Sequence, residues 1–105
     1  MIRFIRTAHA KPEYGIDALF FAVEVAEYLN DTYPDNPVEV FTERFGAHNR
    51  LVWSIDFEDL ADYEAYQAKL NQDATYWEVM GKTAAWFTED GHDQVLMPIE
   101  LPNVD

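Results

Sequence analysis

The sequence predicts an α+β domain in which two β-α-β units form a four-stranded antiparallel sheet with helices on one face. Three observations carry that prediction. The chain has 105 residues, the size of one domain, and folding it should bury roughly 65% of the surface its unfolded form exposes. Apolar residues alternate in part along residues 2–8 and clearly along residues 49–57, and they recur with helical spacing in the segments between the extended runs. No internal repeat and no Pro/Gly/Ser-rich linker divides the chain.

Residues 2–8, "IRFIRTA", alternate in part and carry β-branched and aromatic side chains, so they read as a first strand ending before Pro12. Neither face of this strand is wholly polar, which places it centrally in a sheet. Residues 16–32 have apolar side chains at Ile16, Leu19, Phe20, Val23 and Ala26, a stripe widened by Phe21, Val25, Tyr28 and Leu29, with Glu24, Glu27 and Asp31 toward water. Pro34 and Pro37 in "YPDNP" then stop the helix, because proline cannot continue its hydrogen-bond ladder. Residues 38–45 and 49–57 are two extended runs joined at hairpin spacing, with Gly46 free to take a positive φ. In the second run Leu51, Trp53, Ile55 and Phe57 share the core face, and Arg50, Val52, Ser54 and Asp56 share the other. Asp56 or Glu58 can cap the following helix, which carries Leu60, Tyr63, Ala65, Tyr66 and Leu70. A second helical segment, residues 74–87, follows "NQD", and residues 94–100, "QVLMPIE", read as a last strand whose Pro98 favours a sheet edge. The order strand, helix, strand, strand, helix, strand is the ferredoxin-like βαββαβ pattern. Its second sheet face, with Ile5 and Val52 among the charges, is too apolar for water, and a partner sheet is the simplest cover.

Charge and composition exclude several classes of function. Twenty acidic residues against seven basic ones give a net charge of -13, which repels phosphate backbones and anionic lipids, so neither nucleic acid nor membrane is an expected partner. The absence of cysteine removes disulfides, thiolate metal sites and cysteine nucleophiles. No window approaches the roughly 20 apolar residues of a membrane span, and "MIRFIRTAHAKPEYG" has no long apolar segment before a small-residue cleavage site. A soluble, cytoplasmic protein is the expectation.

The order of elements and the stretch "ERFGAHNRLVWSIDFEDLADYEAYQAKLNQDATYW" resemble the dimeric α+β barrel superfamily, and within it NIPSNAP-like and antibiotic-biosynthesis-monooxygenase-like small domains. The similarity rests on a Gly after the second strand, a polar residue opening the third, an aromatic within it, and a helix followed by an Asp and a Tyr-Trp pair. It covers roughly residues 2–99. It implies a homodimer whose sheets pack face to face, and a small-molecule cavity between sheet and helices. It implies activities as varied as cofactor-free oxygenation of aromatic polyketides, haem breakdown, dehydration and cyclisation. Haem-degrading members need a His in the second helical region, and residues 58–87 contain none. Cofactor-free oxygenases place Asn and Trp near the bound aromatic; Trp53 matches the Trp, and "IRFIRTA" offers no Asn.

Three constellations are candidates for chemistry. The chain's histidines, His9, His48 and His92, fall at one end of a ferredoxin-like sheet, where neutral imidazoles and a nearby carboxylate would suit a divalent transition metal, although no close motif such as HExxH is present. Arg3, Arg6, Arg44 and Arg50 lie on strands, where a guanidinium either holds an acidic ligand or pairs with Glu39, Glu43 or Asp56 across the sheet. Aromatics at strand and helix spacing are usually core, yet Trp53 and Trp77 are first candidates for the walls of a cavity, Arg50 and Arg6 for polar substrate contacts, and His48 or Tyr66 for handling a proton. The leading reading is a homodimer that binds an aromatic or apolar metabolite and acts on it without an organic cofactor, as a monooxygenase, cyclase or isomerase would. The alternatives are a non-catalytic binding or structural dimer and a metal-dependent site at the histidine end.

Overall fold

In the computed structural model, which describes residues 1–43, 49–99 and 101, the strands are β1 (Ile2–His9), β2 (Val38–Thr42), β3 (Arg50–Phe57) and β4 (His92–Leu96). The helices are α1 (Gly15–Thr32), α2 (Leu60–Asn71) and α3 (Ala74–Thr83), with short 3-10 turns at Pro12–Tyr14 and Ala84–Trp86. The strands form one antiparallel sheet in the order β2-β3-β1-β4, so the fold is the ferredoxin-like α+β arrangement. Among the described residues no helix is long and apolar enough to cross a membrane.

Register explains the core. Ile2, Phe4, Arg6 and Ala8 of β1 stand opposite Phe57, Ile55, Trp53 and Leu51 of β3, so alternate side chains of both central strands converge on the face the helices cover. Phe57 is almost wholly enclosed, with the rings of Tyr63 and Tyr66 of α2 packed against it edge-on at centroid distances of 5.5 and 5.3 Å.

Local signals set the boundaries, in several places differently from the sequence reading. The cap of α2 is Asp59 rather than Asp56 or Glu58; its side chain accepts from the Asp62 N–H at 2.9 Å, because the side-chain oxygen must sit at the residue just outside the first turn. Across the YPDNP loop Asn30 of α1 closes on the chain beyond it, accepting from the Val38 N–H at 2.6 Å and donating to the Val38 carbonyl at 3.2 Å, which fixes where β2 starts. The segment after Asp73 is α3 followed by a 3-10 turn rather than one helix. β4 begins at His92 and ends before Pro98, whose missing N–H cannot continue a ladder. Gly46 lies outside the described residues; the positive φ seen near this corner belongs to Asn49, at 62°, a residue that tolerates the left-handed region.

The helix α1 turns a different stripe inward from the one its leading apolar residues suggest. Ala18, Phe21, Ala22, Val25, Ala26 and Leu29 are buried, while Ile16 and Phe20 are 73% and 66% exposed. The helix is apolar nearly all round, so spacing alone could not choose its inner face.

Candidate functional site

Between the sheet and the helices lies a cavity of about 260 Å³. Its floor comes from the sheet, with Phe4, Arg6, Trp53 and Ile55; its roof comes from α1, α2 and α3, with Phe21, Val25, Tyr66, Leu70, Tyr76 and Met80. Trp53 is held in place by its indole N–H, which donates to the Ala22 carbonyl of α1 at 3.2 Å.

Polar groups are few and specific. The Arg6 guanidinium donates from Nε and Nη2 to the two Asp93 oxygens at 2.8 and 3.0 Å, and from Nη1 to the Tyr76 hydroxyl at 3.1 Å. The hydrogen bond to Asp93 raises the Arg6 pKa, so its charge is permanent and already neutralised. Tyr66 is 5% exposed, and its hydroxyl has no hydrogen-bond partner among the described residues. Burial pushes its phenol well above the ordinary range, with the neighbouring phenols of Tyr76 and Tyr33 adding to the effect, so it is neutral at physiological pH. Tyr66 also borders a larger, open cleft of about 650 Å³ beside Asp35, Asn36 and Lys69, which makes this side chain the wall between the cavity and outside.

This wall is braced by the half-buried Asp73, to which the sequence reading gave no role beyond its place in the resemblance. Its carboxylate caps α3 by accepting from the Tyr76 N–H at 3.0 Å, and it accepts from the Tyr28 hydroxyl at 2.7 Å and the Tyr33 hydroxyl at 2.7 Å. The signal was present: an Asp immediately before a helical run is a capping residue. Its link to two tyrosines some 40 residues away was not readable from spacing.

The structure brings Tyr66, Trp53 and Arg6 together and leaves the other candidates elsewhere. Trp77 lies outside the cavity, 51% exposed, with its indole N–H on the Leu70 carbonyl at 3.0 Å. Tyr76 takes the inward position, and the next residue on a helix is turned away by about 100°. Arg50 and His9 sit on the opposite sheet face, where Arg50 Nε donates to His9 Nε2 at 3.1 Å and Nη1 pairs with Glu43. His9 Nδ1 is 3.2 Å from Asp90 Oδ1, too poorly aligned to count as a hydrogen bond. His92 is opposite Thr7, at the same end of the sheet as His9. His48 lies outside the described residues. Among the described residues no group of three or more His, Asp or Glu side chains is placed to hold a metal ion.

A cavity roofed by helices, on a four-stranded antiparallel sheet whose other face the helices leave open, is how this ferredoxin-like α+β fold is built. The chain belongs to the family of unknown function DUF6039, whose family model matches residues 1–94. It is similar to an uncharacterized NIPSNAP domain protein from Burkholderia xenovorans, at 16% identity and a TM-score of 0.79 over 98% of this chain and 100% of that one. It is similar to a NIPSNAP family protein from Agrobacterium tumefaciens, at 14% identity and a TM-score of 0.79 over 99% and 98%. The structure of an antibiotic biosynthesis monooxygenase also superposes, at 16% identity and a TM-score of 0.72 over 95% and 100%. At these identities the likeness shows the fold. No protein of curated function matches the chain.

Proposed function

We propose that the protein is a homodimer that binds a small, apolar, aromatic-sized molecule in the cavity between sheet and helices. The observation that carries this reading is the cavity itself: about 260 Å³, walled by Phe4, Phe21, Trp53, Tyr66 and Tyr76, just below the roughly 300 Å³ at which ligand pockets begin. A bicyclic aromatic molecule matches that size and lining.

The homodimer is supported by the face the helices leave open. There Ile5 and Val52 are half-buried, and Phe41 and Leu96 are 49% and 48% exposed. A second sheet laid on this face would cover them.

Titration of the protein with indole, followed by amide chemical shifts, tests the cavity. Shifts are expected to cluster at Phe4, Trp53, Tyr66 and Tyr76, and to vanish in Ala84→Trp, which fills the cavity from its 3-10 side. Shifts scattered over the surface, or unchanged in that folded variant, would defeat the reading.

A further inference from the structure

We propose that Arg6 is the gate of the cavity, read as a ligand site as above: its guanidinium straps the mouth, and an apolar ligand passes when the Arg6–Tyr76 hydrogen bond opens. The exposure of the lining residues locates that mouth. Most of them are buried, and those that reach solvent are Arg6 and Ala8 of β1, Gln67 of α2, Met80 of α3, and Ala84 and Phe87 in and after the 3-10 turn. All but Gln67 stand along one margin, between β1 and α3 with its following turn. β4 lies on that side of β1. Its Asp93 and Val95, opposite Arg6 and Phe4 on the helical face, are both exposed, so the helices leave this side of the sheet uncovered.

Arg6 spans this opening. Its side chain lines the cavity, carries its guanidinium over the Phe4 ring at 5.6 Å, and is still 35% exposed. The guanidinium is forked onto the Asp93 carboxylate of β4 at 2.8 and 3.0 Å, and its remaining nitrogen donates to the Tyr76 hydroxyl of α3 at 3.1 Å. The strap therefore runs from the sheet to the helix across the slot where solvent meets the lining. Its two ends are unequal. Two charge-assisted bonds to a carboxylate outweigh one bond to a neutral phenol, so the strap opens at Tyr76 while Asp93 keeps the charge compensated. A strap that closes behind a ligand without contacting it sets how fast the ligand passes, not how tightly it is held.

Fluorine NMR line shapes in a titration with 5-fluoroindole, an uncharged bicyclic probe, give the dissociation constant and the exchange rates together. Tyr76→Phe keeps the ring and deletes the weak end of the strap. Association and dissociation are both expected to rise about fivefold to tenfold, with the dissociation constant within about twofold of the unaltered protein. Arg6→Met, which removes both ends and keeps an apolar chain of similar length, is expected to accelerate exchange at least as much. Arg3→Ala breaks an exposed ion pair with Asp56 on the other sheet face and is expected to leave both rates unchanged. Unchanged rates in both Tyr76→Phe and Arg6→Met overturn the gate, and so does an equal acceleration in Arg3→Ala. Weaker binding through faster dissociation alone also overturns it, since that would mark Arg6 and Tyr76 as ligand contacts. If neither 5-fluoroindole nor indole binds the unaltered protein, the cavity reading itself has failed, and this inference with it.

Discussion

Asp73 shows how much one residue can organise. Its carboxylate joins the end of α1, through Tyr28 and Tyr33, to the start of α3, through the Tyr76 N–H, and thereby sets the wall that Tyr66 and Tyr76 present to the cavity. The Tyr28 and Tyr33 hydrogen bonds hold its pKa below the ordinary value of 3.8. A depressed folded pKa means the stabilisation is fully present above about pH 4 and is lost as pH falls through the folded value. Burial, then the bond to Asp73, pushes the Tyr33 phenol up to about 12, from 10.0. That raised pKa means the Tyr33 contribution is present below pH 10 and is lost as pH rises through 12. Replacing Asp73 by Ala removes a cap and two phenol bonds on a partly exposed carboxylate, and is expected to cost about 2 kcal/mol in urea unfolding at pH 7. The same measurement on Tyr33→Phe should show a shallower loss of stability between pH 10 and 12 than the unaltered protein, and equal slopes would rule out Tyr33 as the titrating group.

At the scale of elements, the sheet strands were the most legible because burial on one face imposes strict alternation. Leu51, Trp53, Ile55 and Phe57 face the core as their spacing requires. The helices were less so. In α1 apolar residues occur on nearly all sides, and the choice of inner face falls to fit: Ala18 and Ala22, both without exposed surface, let the helix backbone come close enough to β3 for Trp53 to reach the Ala22 carbonyl. Ala22→Leu is therefore expected to destabilise the protein by about 1–3 kcal/mol through overpacking, measured as a lowered urea midpoint. A neutral outcome would mean that α1 does not pack so closely. The exposed stripe of Ile16, Leu19, Phe20 and Val23 is the other consequence of that choice.

At the scale of the molecule, the Cα radius of gyration is 15.3 Å, against roughly 13 Å for a compact chain of about this length. β4 is exposed along its length, and Met97, Ile99 and Leu101 are exposed beyond it. A homodimer formed through the open sheet face brings two chains of net charge -13 together, so it is expected to tighten as salt screens their repulsion. Sedimentation at micromolar concentration should give a dimer that dissociates less at 0.5 M than at 0.05 M salt, and Ile5→Glu should give a monomer with the fold retained. A monomeric unaltered protein at high salt would sink the sheet-to-sheet dimer.

The sequence by itself determined the order of elements, the core face of β3, and the presence of Trp53 and Tyr66 on the elements that build the cavity, while the arginine partners it left open were set by the structure as Arg3 with Asp56 and Arg50 with Glu43. These follow from alternation, helical spacing and charge, which act over a few residues or across a strand pair. Only the tertiary structure decided that Arg6 is neutralised by Asp93, that Tyr76 rather than Trp77 meets the cavity, and that Asp73 gathers two tyrosines from α1 and the loop after it. Those outcomes depend on which face each helix presents and how closely it packs, and contacts between residues 40 to 87 positions apart leave no period in the sequence.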